Sequence, residues 1–290
     1  MTREAFSALA SAGPVLLDGG TGSSLRAAGM PVGVCPELWI LENPEHLLAL
    51  QRSYREAGSQ IVYAATFSAN RLCLERFGLE GKVGELNRRL MALSREAVGE
   101  EVLVAGDLST MGQPLEPLGT LPYALAYDVY REQIGALAEA GADLIAAETL
   151  MSMEEAIALL DAASGFDLPV MCTFSAEADG SLLFGGSVLE AAAVLEELGA
   201  AAVGVNCSVG PDQLESVVRS LGTSCRVPVA AKPNAGLPVL DGLGQAHYSM
   251  GPEAFARHMA VLLEAGAGII GGCCGTTPAY IRMLAENMGR

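Results

Sequence analysis

Three of the seven cysteines in this chain stand apart from the rest. Cys207 closes an apolar run, and Cys273 and Cys274 are adjacent, with glycines at 271, 272 and 275 on either side. Three thiolates with no histidine nearby would form a soft, anionic cage suited to Zn²⁺, and three protein ligands would leave the fourth tetrahedral position open. Two ordinary readings compete. Any single cysteine is commonly a buried core thiol, and adjacent cysteines can close a vicinal disulfide; spacing alone leaves these alternatives open. Cys35, Cys73, Cys172 and Cys225 show no such convergence and read as structural thiols. An open zinc position could serve hydrolysis or thiol alkylation. Three thiolates cancel the charge of the metal and make it a poor Lewis acid for water, but the same electron-rich centre suits an incoming thiol held as thiolate. A free thiol is only a few per cent ionised at neutral pH. Full ionisation therefore supplies at most roughly 30-fold, about 2 kcal/mol, and the rest of any rate must come from orienting the thiolate.

The elements that would bring these cysteines together are visible in a pattern that recurs four times: an acidic residue, a small or apolar one, Gly, then a short apolar run. Its glycines are Gly58, Gly141, Gly199 and Gly266, each placed to end a helix with a left-handed residue. The runs that follow, 60–64, 143–147, 201–205 and 268–272, read as strands buried on both faces. Four more strands interleave at 15–18, 102–106, 169–174 and 227–232, with helices such as 123–140 and 211–221 between them. Eight strand–helix units in one compositional regime predict a single (β/α)₈ TIM barrel over residues 1–290. An open doubly wound sheet is the alternative, but no dinucleotide-type glycine fingerprint follows the first strand in the required form. Active sites of such barrels lie at the C-terminal strand ends. Counting seven and eight residues from each repeat glycine gives Ala65 and Thr66, Glu148 and Thr149, Asn206 and Cys207, Cys273 and Cys274. The other strands end at Asp18, Asp107, Phe174 with Ser175, and Lys232 with Asn234 two residues on. Long loops are expected on this face at 30–44, 108–122, 176–187 and 233–250 as walls or lids.

Composition narrows the partners. The formal charge of −17 excludes a basic nucleic-acid surface. Hydrophobic residues at 51% supply a large core, while no run of ~18 apolar residues suggests a membrane span and the first residues lack a signal-type region. A cytoplasmic protein with no membrane partner is expected, its cysteines free or metal-bound rather than a disulfide framework.

Leu17-Asp18-Gly19-Gly20-Thr21-Gly22, Gly204-Val205-Asn206-Cys207 and Gly271-Gly272-Cys273-Cys274-Gly275 resemble the homocysteine S-methyltransferase family over nearly the whole chain. Gly272-Cys273-Cys274-Gly275-Thr276-Thr277-Pro278, Cys207-Ser208-Val209-Gly210-Pro211 and Pro233-Asn234-Ala235-Gly236-Leu237-Pro238 are most similar to the homocysteine-binding module of cobalamin-dependent methionine synthase; the branch that uses S-methylmethionine usually has Arg at the place of Gly275. The resemblance implies zinc on Cys207, Cys273 and Cys274, through which homocysteine would be activated and methylated to methionine. It implies Asp18 and Glu148 as ligands of the homocysteine ammonium, although helix capping or core pairing are their ordinary structural uses. Thr66 and the backbone amides near Gly19 and Gly20 would hold the carboxylate, and Asn234 would touch the open zinc position or the substrate. Two departures concern substrate and donor contacts. Ala65 stands before Thr66-Phe67 where the family often has Asn or Gln, and Gly106-Asp107-Leu108-Ser109-Thr110-Met111-Gly112 replaces the family's Gly-Pro-Thr pattern after the third strand.

The 290 residues leave no room for folate, cobalamin or activation domains, and His46, His247 and His258 lie in no cobalamin-ligand motif. The expected donor is therefore methylcobalamin on a separate corrinoid protein, reached through an open barrel mouth. The alternatives are direct transfer from S-methylmethionine, S-adenosylmethionine or betaine, or a non-catalytic docking subunit of a corrinoid methyltransferase complex. A cationic small donor would need aromatic or acidic groups around its charge. The candidates are Trp39, Tyr123, Tyr127 and Tyr130.

Overall fold

A computed structural model describes residues 1–240 and 246–290. All four repeat glycines have positive φ, 103° at Gly58, 82° at Gly141, 95° at Gly199 and 114° at Gly266. Each follows the C-cap residue of a helix, where a side chain would be strained and glycine is not. The chain then enters a strand each time, and that regularity builds the barrel.

The strands are β1 (Val15–Leu16), β2 (Ile61–Tyr63), β3 (Leu103–Leu108), β4 (Leu144–Leu150), β5 (Val170–Phe174), β6 (Ala202–Cys207), β7 (Val229–Pro233), β8 (Pro238–Leu240), β9 (Ala246–Tyr248) and β10 (Ala267–Ile270). Eight of them form one parallel sheet in the order β1-β10-β7-β6-β5-β4-β3-β2. The ends β1 and β2 meet without a regular ladder. Gln60 joins them, its N–H donating to Leu16 O at 2.7 Å and its side-chain oxygen accepting from Leu16 N at 3.0 Å. The Tyr63 N–H donates to Asp18 Oδ2 at 2.8 Å across the same join. This is the (β/α)₈ architecture expected from the repeats.

The continuous apolar runs resolve into two layers. Val15, Leu17, Ile61, Tyr63, Met171 and Ile269 fill the barrel interior, joined by Phe6 from the helix Arg3–Ser11. Their neighbours Leu16, Val62, Val104, Cys172, Val203 and Ile270 face the helices. Both faces of each strand are thus dry, which is why alternation was invisible in the sequence.

Several boundaries differ from expectation. The predicted 30–44 loop contains a helix, Pro36–Glu42, started by Pro36 at its first position and packed through Ile40. The predicted helix 211–221 divides into a 3₁₀ turn, Pro211–Gln213, and a helix, Glu215–Ser224. The predicted 233–250 loop carries the antiparallel β8–β9 pair, and its residues 241–245 lie outside the described residues. The 108–122 loop is pinned by buried Glu155, which accepts from Thr110 Oγ1 at 2.7 Å, Met111 N at 2.8 Å and the Tyr130 hydroxyl at 2.9 Å. Among the described residues no helix is long and apolar enough to cross a membrane.

Candidate metal centre and amino-acid pocket

The cysteine-bearing turn after β6 is held in a shape that the chain would not adopt alone. Cys207 and Ser208 have φ of 58° and 46°, a left-handed conformation that costs non-glycine residues of order 1 kcal/mol or more each and persists only where surroundings enforce it. Asn234, just beyond β7, supplies that enforcement. Its Nδ2 donates to Ser208 O at 3.2 Å, and its Oδ1 accepts from Cys274 N at 3.0 Å. One side chain therefore ties the β6 turn to the turn after β10. On the other side the Cys273 N–H donates to Pro233 O at 2.8 Å, and Thr276 Oγ1 donates to Cys273 O at 2.7 Å while accepting from Gly20 N at 3.0 Å. Gly20 makes that approach possible: a Cβ there would stand 2.5 Å from the Cys273 carbonyl oxygen.

The result is that the sulfurs of Cys207, Cys273 and Cys274 all lie within 4.8 Å of one another. A tetrahedral zinc with Zn–S bonds near 2.3 Å would need sulfurs about 3.8 Å apart, a spacing that lies within this bound. All seven cysteines are free thiols, so the 273–274 pair is not a vicinal disulfide. Hydrogen bonds from Cys207 and Cys273 push the Cys274 thiol well below its ordinary range, whereas Cys207 is pushed up. Of the other thiols, Cys172 is buried against the helices and Cys35 donates to Glu37 at 3.4 Å, as structural thiols should.

Across the mouth lies a buried charge cluster. Lys232 Nζ stands 3.6 Å from Asp18 Oδ1 and 3.6 Å from Glu148 Oε2, over the Tyr63 ring at 4.6 Å. Burial works against its charge, but the carboxylates of Glu148 and Asp18 outweigh it and hold the ammonium well above the ordinary range. Burial raises Asp18 to about 6 and Glu148 to about 7, with Lys232 opposing in both cases. Asp107 is raised well above the carboxylate range by burial and then by Glu148. Asn206, next to Cys207 in the chain, ties that strand end to the cluster: its Oδ1 accepts from Thr149 N at 2.7 Å, and its Nδ2 donates to Thr149 Oγ1 at 2.8 Å and Glu148 Oε2 at 3.4 Å.

Asp18, Glu148, Asn234 and the three cysteines thus come to one end of the barrel, with Gly20 packed against the Cys273 turn. Gly19 is equally tight, since a Cβ there would meet Tyr54 and Thr276. Thr66 is at the same end but fully buried, its hydroxyl donating to Asp107 O at 2.8 Å and accepting from Asp107 N at 3.1 Å. The aromatic candidates do not converge there. Trp39 stacks on His46, Tyr130 is buried against Glu155, and Tyr123 bonds to Asp161. The aromatic that does reach the sulfurs is Tyr248, on β9. Its hydroxyl donates to Cys274, and its ring covers Gly275, whose φ of 81° and lack of Cβ permit it. Tyr248, Asn206 and the pairing of Lys232 went unassigned in the sequence. A lysine inside an apolar strand was the one available signal.

Comparison with known proteins gives the geometry a context. The family model described as homocysteine S-methyltransferase matches residues 15–288. The methionine synthase of Mycobacterium tuberculosis is 33% identical over 287 residues, covering 92% of this chain and 24% of that protein. The chain thus spans about a quarter of the length of the mycobacterial methionine synthases that it matches. Homocysteine S-methyltransferase 3 of Arabidopsis thaliana is 28% identical, covering 94% of this chain and 89% of that one. Among solved structures, the metallated form of the homocysteine methyltransferase MmuM from Escherichia coli superposes with a TM-score of 0.80 at 25% identity, over 94% of this chain and 96% of that one.

Proposed function

Because the chain belongs to the homocysteine S-methyltransferase family, we propose that residues 1–290 act as one zinc-dependent methyltransferase domain that converts homocysteine to methionine. The observation that carries this reading is the approach of three thiols to within 4.8 Å beside a buried cluster of carboxylates. Cys207, Cys273 and Cys274 would hold the metal. Bound zinc would keep the acceptor sulfur as thiolate at neutral pH.

The remaining work belongs to the chain's own groups. Asp18 and Glu148 receive the substrate ammonium, which fixes the amino-acid end while the thiol reaches the sulfur trio. Thr66 and the Gly19–Gly20 segment receive the carboxylate. The Thr66 hydroxyl and the Gly20 N–H are engaged with Asp107 and Thr276, so a carboxylate there exchanges for contacts already made. Asn234 fixes both cysteine turns and borders the open metal position or the substrate. Orientation of thiolate against methyl donor then supplies most of the rate.

For the donor we infer methylcobalamin on a separate corrinoid protein, supported by the motif around Gly275 and by the scattering of Trp39, Tyr123 and Tyr130 away from the sulfurs. A small onium donor is the second reading, favoured by Tyr248 beside Cys274. Turnover with methylcobalamin, S-methylmethionine, S-adenosylmethionine and betaine in parallel separates them. Methionine from an onium donor with none from methylcobalamin, free or protein-bound, would overturn the corrinoid choice; methionine from no donor would leave the docking-subunit reading.

Asp18→Asn and Glu148→Gln are each expected to raise the homocysteine KM while leaving zinc in place, since a charged hydrogen bond is worth about 1.5–3 kcal/mol. Wild-type KM and kcat in both variants would rule out the ammonium-binding role.

A further inference from the structure

The cluster at the barrel mouth holds more acid than its lysine can neutralise. Asp18, Asp107 and Glu148 face Lys232, and the ion pairs within 4.0 Å go to Asp18 and Glu148. Asp107, 5% exposed, has no salt bridge among the described residues, and its Oδ1 is buried without a hydrogen-bond partner. Asp18 Oδ1 has the Lys232 ammonium at 3.6 Å but no closer hydrogen-bond partner, its other oxygen being taken by the Tyr63 N–H. A buried, unpaired carboxylate oxygen is costly, and such atoms in a native fold call for a donor. Asp107 projects from β3, between β4, which carries Glu148, and β2, which borders Asp18 across the barrel join. Its backbone, not its carboxylate, is what Thr66 binds.

An α-ammonium group carries three donors and one positive charge. It would meet the unpartnered Asp107 oxygen together with Asp18 and Glu148, and bring the cluster from one cation to two against three carboxylates. We propose that Asp107 is a further substrate-binding residue, giving its unpaired carboxylate oxygen to the α-ammonium of the amino-acid thiol alongside Asp18 and Glu148. The proposal rests on the reading of the acceptor as homocysteine.

The test compares two thiols that differ in one group: homocysteine, and 4-mercaptobutanoate, which keeps the chain and carboxylate but lacks the ammonium. Both are titrated into protein carrying cobalt(II) in place of zinc, with the thiolate-to-cobalt absorption as readout and no methyl donor needed. Asp107→Asn is expected to weaken homocysteine by about 10- to 100-fold and to leave 4-mercaptobutanoate within about two-fold. Asp107→Glu, which restores the charge, is expected to recover part of the loss, and this rescue separates substrate contact from a folding defect. Equal weakening of both thiols, no rescue, or unchanged homocysteine binding would overturn the role of Asp107. A wild-type protein that binds 4-mercaptobutanoate as well as homocysteine would overturn the amino-acid reading of the pocket itself.

Discussion

Cys207→Ser is expected to reduce zinc from about one ion per chain to less than about a tenth after dialysis against a chelator, measured by metal analysis under reducing conditions. The expectation follows from the donor set. Only three sulfurs converge among the described residues, so no fourth protein thiol can take over. Serine keeps the volume but offers a hydroxyl in place of a thiolate, a poor exchange for a borderline-soft cation. Cys172→Ser provides the comparison: that thiol packs against the helices, and its replacement is expected to leave the zinc content unchanged. Full zinc in Cys207→Ser would refute the ligand assignment. Loss of zinc in both would point to a general folding defect instead.

Lys232→Met is expected to destabilise the protein by about 3–5 kcal/mol, read from urea unfolding, because removal of one partner leaves buried charges uncompensated. Lys232 is 4% exposed and both of its carboxylate partners are buried. Methionine fills the same slot, so packing contributes little. The charge origin is checked by adding Asp18→Asn and Glu148→Gln to the same chain. The triple variant should recover much of the loss, since the residues form one network and their effects are not additive. A cost below about 1 kcal/mol for the single variant, or a triple variant that is additive, would show that the cluster is not held by Lys232.

The repeats made the barrel legible because a helix that turns back into a buried strand needs a left-handed residue at one place, and Gly58, Gly141, Gly199 and Gly266 supply it. Register from those glycines was enough to bring Glu148, Cys207 and Cys274 to one face, since strands advance by a fixed rise. Other features depend on partners distant in sequence. The helix Pro36–Glu42 read as loop because its punctuation by Pro31, Gly33 and Pro36 outweighed its short apolar stretch. Lys232 could be placed at a strand end, but its pairing with Asp18, 214 positions earlier in the chain, is a fact of barrel closure. Tyr248 was hidden for the same reason: its value lies in the bare backbone of Gly275, which the β8–β9 pair brings beneath its ring.

The join between β1 and β2 links closure to occupancy. β1 contributes two paired residues and β2 three, and Gln60 with Asp18 bridges what the ladder omits. Such an edge is where a barrel breathes: sub-global opening starts where few backbone bonds must break. Asp18 serves as a rivet there through Oδ2 and pairs with Lys232 through Oδ1. A ligand cation that immobilises this carboxylate therefore also clamps the seam, so amides along it would exchange more slowly with solvent deuterium when the pocket is filled, and the free-energy gap between closed and opened barrel becomes a gauge of substrate grip.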